Sequence, residues 1–83
     1  MARATQPHPL TPQEQKGKAL EAILDVWDHC LKQGVGPEYL ASSAIFAALT
    51  EMVDLHGETA VAEFCAELPE RVRLGEFTFQ EPQ

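Results

Sequence analysis

The stretch from Pro37 to His56 constrains the fold of this chain more than any other part of the sequence. Read as a helix, it carries apolar side chains around more than half of its circumference, and a helix of that kind needs neighbours on two sides. We therefore expect it to lie at the centre of a helical domain, or to be covered in part by another chain. Its apolar arc consists of Ala41, Ala44, Ile45, Ala48, Leu49, Met52, Val53 and Leu55, widened by Tyr39 and Phe46.

A capping sequence predicts the start of the first helix at Thr11. Thr11 suits the cap, Pro12 suits the first helical position, and Glu14 completes a capping box. The helix should run to about Gln33, with Gly34 ending it. One face is apolar and the opposite face is charged, which is typical of a helix that packs on a core. The apolar face consists of Leu20, Ile23, Leu24, Trp27, Cys30 and Leu31.

Glycine and proline divide the remaining chain into shorter elements. A third helix is predicted from Glu58 to Leu68, ended by Pro69, because proline cannot continue the hydrogen-bond ladder. Its inward face should consist of Ala60, Val61, Phe64, Cys65 and Leu68. A short fourth helix is predicted from Pro69 to Leu74. The following segment, 76–80, alternates polar and apolar residues, so in extended form Phe77 and Phe79 would point the same way.

These elements predict an all-α fold, a small bundle of three main helices plus a short fourth helix or C-terminal extended segment. The chain has 83 residues, enough for one domain. We expect a single helical domain over residues 11–80. Residues 1–10 are expected to form a flexible N-terminal tail and residues 81–83 a C-terminal tail.

The charge balance narrows the range of partners. Thirteen acidic and six basic side chains give a formal net charge of −7. This argues against nucleic-acid binding and against docking on anionic lipid, both of which need clustered Lys and Arg. No apolar run is long enough for a membrane span, and prolines interrupt the N-terminal residues where a secretory signal would need an apolar stretch. We therefore expect a cytoplasmic protein that binds neither nucleic acid nor membrane.

No residue pattern predicts a catalytic, cofactor or metal site. His29 lies four residues after Asp25 on one helix face, but structural zinc sites usually need four protein ligands. His56 is expected to stabilise the end of the second helix rather than to act as a base, because no nucleophile accompanies it. Cys30 and Cys65 fall among apolar neighbours, as expected for buried free thiols in a reducing compartment.

Three functional hypotheses follow from the sequence. The first is a small acidic, non-catalytic interaction or regulatory module that binds a protein partner or forms a homodimer. Its candidate interaction residues are Arg71, Arg73, Phe77 and Phe79, since arginine and aromatic residues are enriched at interfaces.

The second hypothesis is a small helical enzyme or ligand-binding protein with a site near His56 and Arg71. The third, a helix-turn-helix DNA binder, is the weakest. Its recognition helix would need a basic face, and the second helix has no Lys or Arg.

Overall fold

The computed structural model describes residues 9–79 and folds them into four α-helices. They are α1 (Pro12–Lys32), α2 (Pro37–His56), α3 (Glu58–Ala66) and α4 (Leu68–Arg73), and the described range contains no strand. The predicted all-α fold is confirmed, with the short fourth helix present. The predicted tails fall largely outside the described residues, which include only 9 and 10 of the N-terminal tail.

The chain divides within α2 into two compact units, Met1–Leu40 and Ala41–Gln83. Each unit is described below by itself. The first consists of α1, a short connection and the first turn of α2. The second consists of the rest of α2, then α3, α4 and the residues that follow. The expectation of a single domain over residues 11–80 stays a prediction.

In the first unit, α1 starts with the predicted capping box. The Glu14 backbone N–H donates to the Thr11 hydroxyl at 3.1 Å, and the Thr11 backbone N–H donates to the Glu14 carboxylate at 2.9 Å. Pro12 occupies the first turn, where its missing N–H leaves no bond unmade. The Gln15 amide nitrogen adds a bond to the Leu10 carbonyl at 2.9 Å. The bonds and the proline within residues 10–15 thus determine where the helix begins.

The same helix ends in a Schellman motif, a pair of bonds that satisfies the last carbonyl groups. The Val35 backbone N–H donates to the Cys30 carbonyl, and the Gly34 N–H donates to the Leu31 carbonyl, each at 3.1 Å. Gly34 has a φ of 96°. The helix therefore stops where the sequence predicted, within one residue.

In the second unit, Gly57 both ends α2 and caps α3. Its backbone N–H donates to the Val53 carbonyl at 2.8 Å, and its own carbonyl accepts from the Val61 N–H at 3.3 Å. Its dihedral angles are φ 87° and ψ 161°. That region is essentially restricted to glycine, because a Cβ atom would clash with the local backbone. The sharp change of direction between two helices therefore depends on this one residue.

The boundary between α3 and α4 lies earlier than the sequence predicted. α3 ends at Ala66 rather than Leu68, and α4 begins at Leu68 rather than Pro69. Pro69 sits in the first turn of α4, where it has no N–H with which to continue the ladder of α3. α3 therefore has to end before the proline is reached. The two helices pack against each other.

The residues after α4 form a turn, not the extended segment that the alternation predicted. Positions 74–77 are a turn, and only 78 and 79 of the described residues lack regular structure there. The Glu76 N–H donates to the Arg71 carbonyl and the Gly75 N–H to the Val72 carbonyl, both at 3.1 Å. This second Schellman motif needs a left-handed residue, and Gly75 supplies it with a φ of 85°. Because Gly75 reverses the chain direction, the segment that contains Phe77 does not extend as the alternating pattern predicted.

Few side chains are removed from solvent. Of the described residues, Val61 alone is buried, with 5% of its surface exposed. Cys65 and Leu68, also predicted to point inward, are half-buried, whereas Ala60 and Phe64 are exposed. The predicted inward face of α3 is therefore correct at its centre and wrong at its margins.

Candidate interaction surface

The most distinctive surface feature is an apolar groove along α2, in the second unit. It is a shallow depression of about 310 Å³, largely open to solvent, and is lined by Phe46, Leu49, Thr50 and Val53. These positions recur every three to four residues, so they form one stripe along the helix. We call this stripe the α2 groove.

The single polar group in the α2 groove is already satisfied. The Thr50 hydroxyl donates to the Phe46 carbonyl one turn earlier, at 2.8 Å. Because the hydroxyl hydrogen is already donated to the backbone, Thr50 needs no acceptor from an occupant, although its oxygen can still accept a hydrogen bond. The other three lining side chains offer only apolar surface.

Large side chains around the groove are open to solvent. Phe46 is 73% exposed and Ile45 is 60% exposed. On the opposite side of the helix, Leu55 is 64% exposed and Ala48 is also exposed, while Ala44 is half-buried. Within the second unit, therefore, part of the apolar arc of α2 has no cover.

Charge is absent from much of this helix. Residues 39–50 contain no Asp, Glu, Lys, Arg or His. The acidic residues of α2 are Glu38, in the first turn, and Glu51 and Asp54, toward the end. The four residues that line the groove are uncharged, but Glu51 lies within their span and Asp54 directly follows it.

In the first unit, the apolar face predicted for α1 is also largely exposed. Leu20, Ile23 and Leu24 are each exposed over more than half of their surface, and Trp27 and Cys30 are half-buried. On the opposite face, Asp28 and Lys32 form an exposed i,i+4 ion pair. The helix is amphipathic as predicted, and within its own unit its apolar face stays largely exposed.

The sequence-predicted interaction residues Arg71 and Phe77 contact each other. The Arg71 Nε donates to Glu76 at 2.8 Å, and its Nη2 donates to the second oxygen of the same carboxylate. The guanidinium also lies 5.4 Å from the centroid of the Phe77 ring. Arg71 thus connects the end of α4 to the following turn through a bidentate ion pair with Glu76 and a cation–π contact with Phe77.

The Arg71–Glu76 contact shifts the pKa of both groups. The hydrogen bond from Arg71 is the largest cause and lowers the pKa of the Glu76 carboxyl below its ordinary value. The same bond raises the pKa of Arg71. Partial desolvation opposes both shifts but is the smaller effect.

The other two predicted interaction residues are more open. Arg73 lies 3.5 Å from a Glu70 carboxylate oxygen in an exposed i,i+3 pair. Phe79 is 92% exposed. The role of all four residues in binding stays a prediction. The sequence placed Phe46, Leu49 and Val53 in the apolar arc of α2 that another chain could cover, but it did not separate the groove from the rest of that arc, although the 46, 49, 50, 53 spacing was the signal that could have done so.

The described residues offer no obvious centre for metal or thiol chemistry. No group of three or more His, Cys, Asp or Glu side chains within the described range is placed to hold a metal ion. No disulfide joins Cys30 and Cys65, and both thiols are half-buried. His56 occupies the last turn of α2 and is exposed.

By its fold the chain is a small all-α protein. No protein-family model matches it, and neither the curated proteins nor the solved structures contain a significant match. Among the helices of residues 9–79, none is both long and apolar enough to cross a membrane.

Proposed function

We propose that this chain is a non-catalytic interaction module that binds another protein chain through the α2 groove. The observation that carries the proposal is the uncovered apolar surface of α2. Phe46 and Ile45 are mostly exposed beside a groove that is itself apolar. Val61, by contrast, is the one buried side chain of the described residues.

The energetics of exposed apolar surface support this proposal. Each Å² of apolar surface left in water costs about 25 cal/mol relative to burial. Monomeric soluble proteins rarely expose contiguous apolar patches larger than a few hundred Å². Phe46 and Thr50 are exposed and lie one turn apart on the same stripe of α2, beside the half-buried Leu49 and Val53. A protein partner would remove that surface from water.

The charge distribution also supports an interaction module. The net charge of −7 keeps copies of the chain soluble. None of the four side chains that line the groove is charged, so their burial would desolvate no charge among them. Glu51 and Asp54 lie close by in the sequence, at the C-terminal end of the groove.

The alternative of a small enzyme with a site near His56 and Arg71 gains no support. The Arg71 guanidinium is occupied by Glu76 and Phe77, and so is not presented to a substrate. His56 is exposed at a helix end. Neither residue has the partners that general acid–base chemistry requires.

Site-specific cross-linking tests the proposed function. A benzophenone side chain would replace Phe46 in the purified protein, which would then be irradiated in extract from the source cells. We expect a cross-linked product that contains a second protein chain, including a copy of this one. Excess unlabelled protein should compete for it, and Phe46→Gln protein should compete poorly.

The matched control carries the same group at Asp25, on the charged face of α1, where the side chain is exposed. It should give little product. If the two positions react equally, or if the Phe46→Gln protein competes as well as the original, the α2 groove is not a specific binding surface and the proposed function is wrong.

A further inference from the structure

We propose that Arg71, Glu76 and Phe77 form a conformational latch, which holds the turn at residues 74–77 on the end of α4 and can open while the helices stay folded. Opening would release Phe77 from Arg71 and let residues 76–79 extend. The latch lies outside the α2 groove and does not depend on the proposed function. The contacts of Arg71, the exposure of the turn and the sequence pattern support it.

Arg71 contacts the turn in three ways. Its backbone carbonyl accepts the Glu76 N–H at 3.1 Å. Its guanidinium donates to both oxygens of the Glu76 carboxylate and lies 5.4 Å from the centroid of the Phe77 ring. Within residues 9–79, no other ion pair joins this turn to a helix. The attachment of the turn to α4 therefore depends on Arg71.

Apolar packing adds little to this attachment. Leu74 and Phe79 are exposed, and Phe77 is 49% exposed. The other backbone bonds of the turn are short-range, from the Gly75 N–H to the Val72 carbonyl and from the Thr78 N–H to the Gly75 carbonyl. Bonds that are local and exposed can break together without global unfolding. The turn can therefore open as a separate unit.

The sequence of this segment favours the open conformation. Residues 76–79 alternate polar and apolar side chains, and in an extended chain Phe77 and Phe79 would share one side. The structure instead reverses the chain at Gly75, which has a φ of 85°. A local preference that disagrees with the observed conformation brings the two conformations closer in energy. The contacts of Arg71 therefore decide which of them is populated.

The ion pair of the latch is accessible to dissolved ions. The side chains of Arg71 and Glu76 are 35% and 46% exposed. Salt screens the attraction between exposed charges, whereas the backbone hydrogen bonds of the helices are much less sensitive to it. Raising the salt concentration should therefore open the turn and leave the helices folded.

Amide hydrogen exchange measured by NMR on the full chain tests this proposal. The Glu76 N–H reports on the turn, and the Cys65 N–H, within α3, reports on the helices. Raising salt from about 50 mM to about 500 mM should speed exchange at Glu76 about two-fold and leave Cys65 unchanged, because exposed ion pairs are weak and screened. Equal acceleration at the two sites would overturn the proposal, since the turn would then open only together with the helices.

Two matched variants separate the latch from a general effect of charge. Arg71→Gln removes the ion pair and the cation–π contact, so Glu76 exchange should be faster by about three-fold or more and should no longer respond to salt. Arg73→Gln removes the same charge from the same short helix, but from a residue that pairs with Glu70 and not with the turn. It should change Glu76 exchange by less than about two-fold. Circular dichroism would confirm that both variants keep their helices.

Nuclear Overhauser contacts between the Phe77 ring and the Arg71 side chain follow the latch directly. They should be present in the original protein at low salt and weaker at high salt. If Arg71→Gln leaves Glu76 exchange unchanged, or if Arg73→Gln speeds it equally, the backbone turn alone holds the segment and the proposal is wrong.

Discussion

Single residues determine where this chain changes direction. Gly57 adopts φ 87° and ψ 161° between α2 and α3, and Gly75 adopts φ 85° after α4. Apart from Gly57 itself and its two chain neighbours, no heavy atom lies within 4 Å of an added Cβ, so glycine is required by the local backbone conformation and not by crowding from other elements. These positions were recognisable in the sequence because glycine at a helix end is a strong local signal.

Replacing Gly57 with alanine should lower the free energy of unfolding by about 1–3 kcal/mol, the usual cost of a residue held in a disfavoured backbone region. Urea unfolding followed by circular dichroism would measure it. Gly17→Ala is the matched control. It lies inside α1 with open space around it, so the same change there should stabilise by about 1 kcal/mol. Equal effects at the two sites would contradict the role assigned to Gly57.

The Arg71–Glu76 contact should respond to acid. The pKa of Glu76 is lower in the folded chain than in the unfolded chain. Its contribution to stability is therefore present above the ordinary carboxyl pKa and is lost as the pH falls through the lowered value.

An NMR titration of the Glu76 carboxyl should show a midpoint below that of an unstructured glutamate. In Arg71→Gln the midpoint should move up toward the ordinary value. If it does not move, the guanidinium is not what lowers the pKa.

At the scale of helices, the sequence was a good guide to boundaries and a poor guide to burial. The capping box at Thr11 and the glycine at 57 act within a few residues, so the limits of α1 and α2 could be read locally. Burial depends on what packs against each face. The inward face expected for α3 was therefore only partly correct, and the apolar arc of α2 was predicted without the groove within it.

The start of α1 provides a test of that local control. Thr11→Ala removes the hydroxyl that accepts the Glu14 N–H, so the first turn should be destabilised by about 1 kcal/mol. Hydrogen exchange of the Glu14 amide should become faster, while exchange in the middle of α1 stays the same. Gln13→Ala, in the same turn but outside the capping box, should leave the Glu14 rate unchanged. A Thr11→Ala protein with unchanged exchange would show that the cap does not hold the turn.

For the molecule as a whole, stability and association should be linked. If a second copy covers the α2 groove, the folded dimer is favoured by mass action, so the melting temperature should rise with protein concentration. In Phe46→Gln this dependence should be much weaker.

Val61→Ala should behave differently. It removes part of the one buried side chain and should lower the melting temperature at every concentration, by an amount corresponding to about 1–3 kcal/mol. Differential scanning calorimetry over a hundred-fold concentration range would separate the two effects. A melting temperature independent of concentration in the original protein would argue against coupled folding and association.

The uncharged run of residues 39–50 has a consequence for alignment. Charged pairs at a helix interface specify which turn meets which, and this run contains no charges with which to do so. Any helix that binds there must be held in place along the axis by steric fit. Phe46 is the one aromatic ring that lines the α2 groove, so its position would determine how a bound helix is aligned along the axis. Moving that ring by one helical turn, with composition unchanged, would change the partner's offset along the axis while preserving the surface that attracts it.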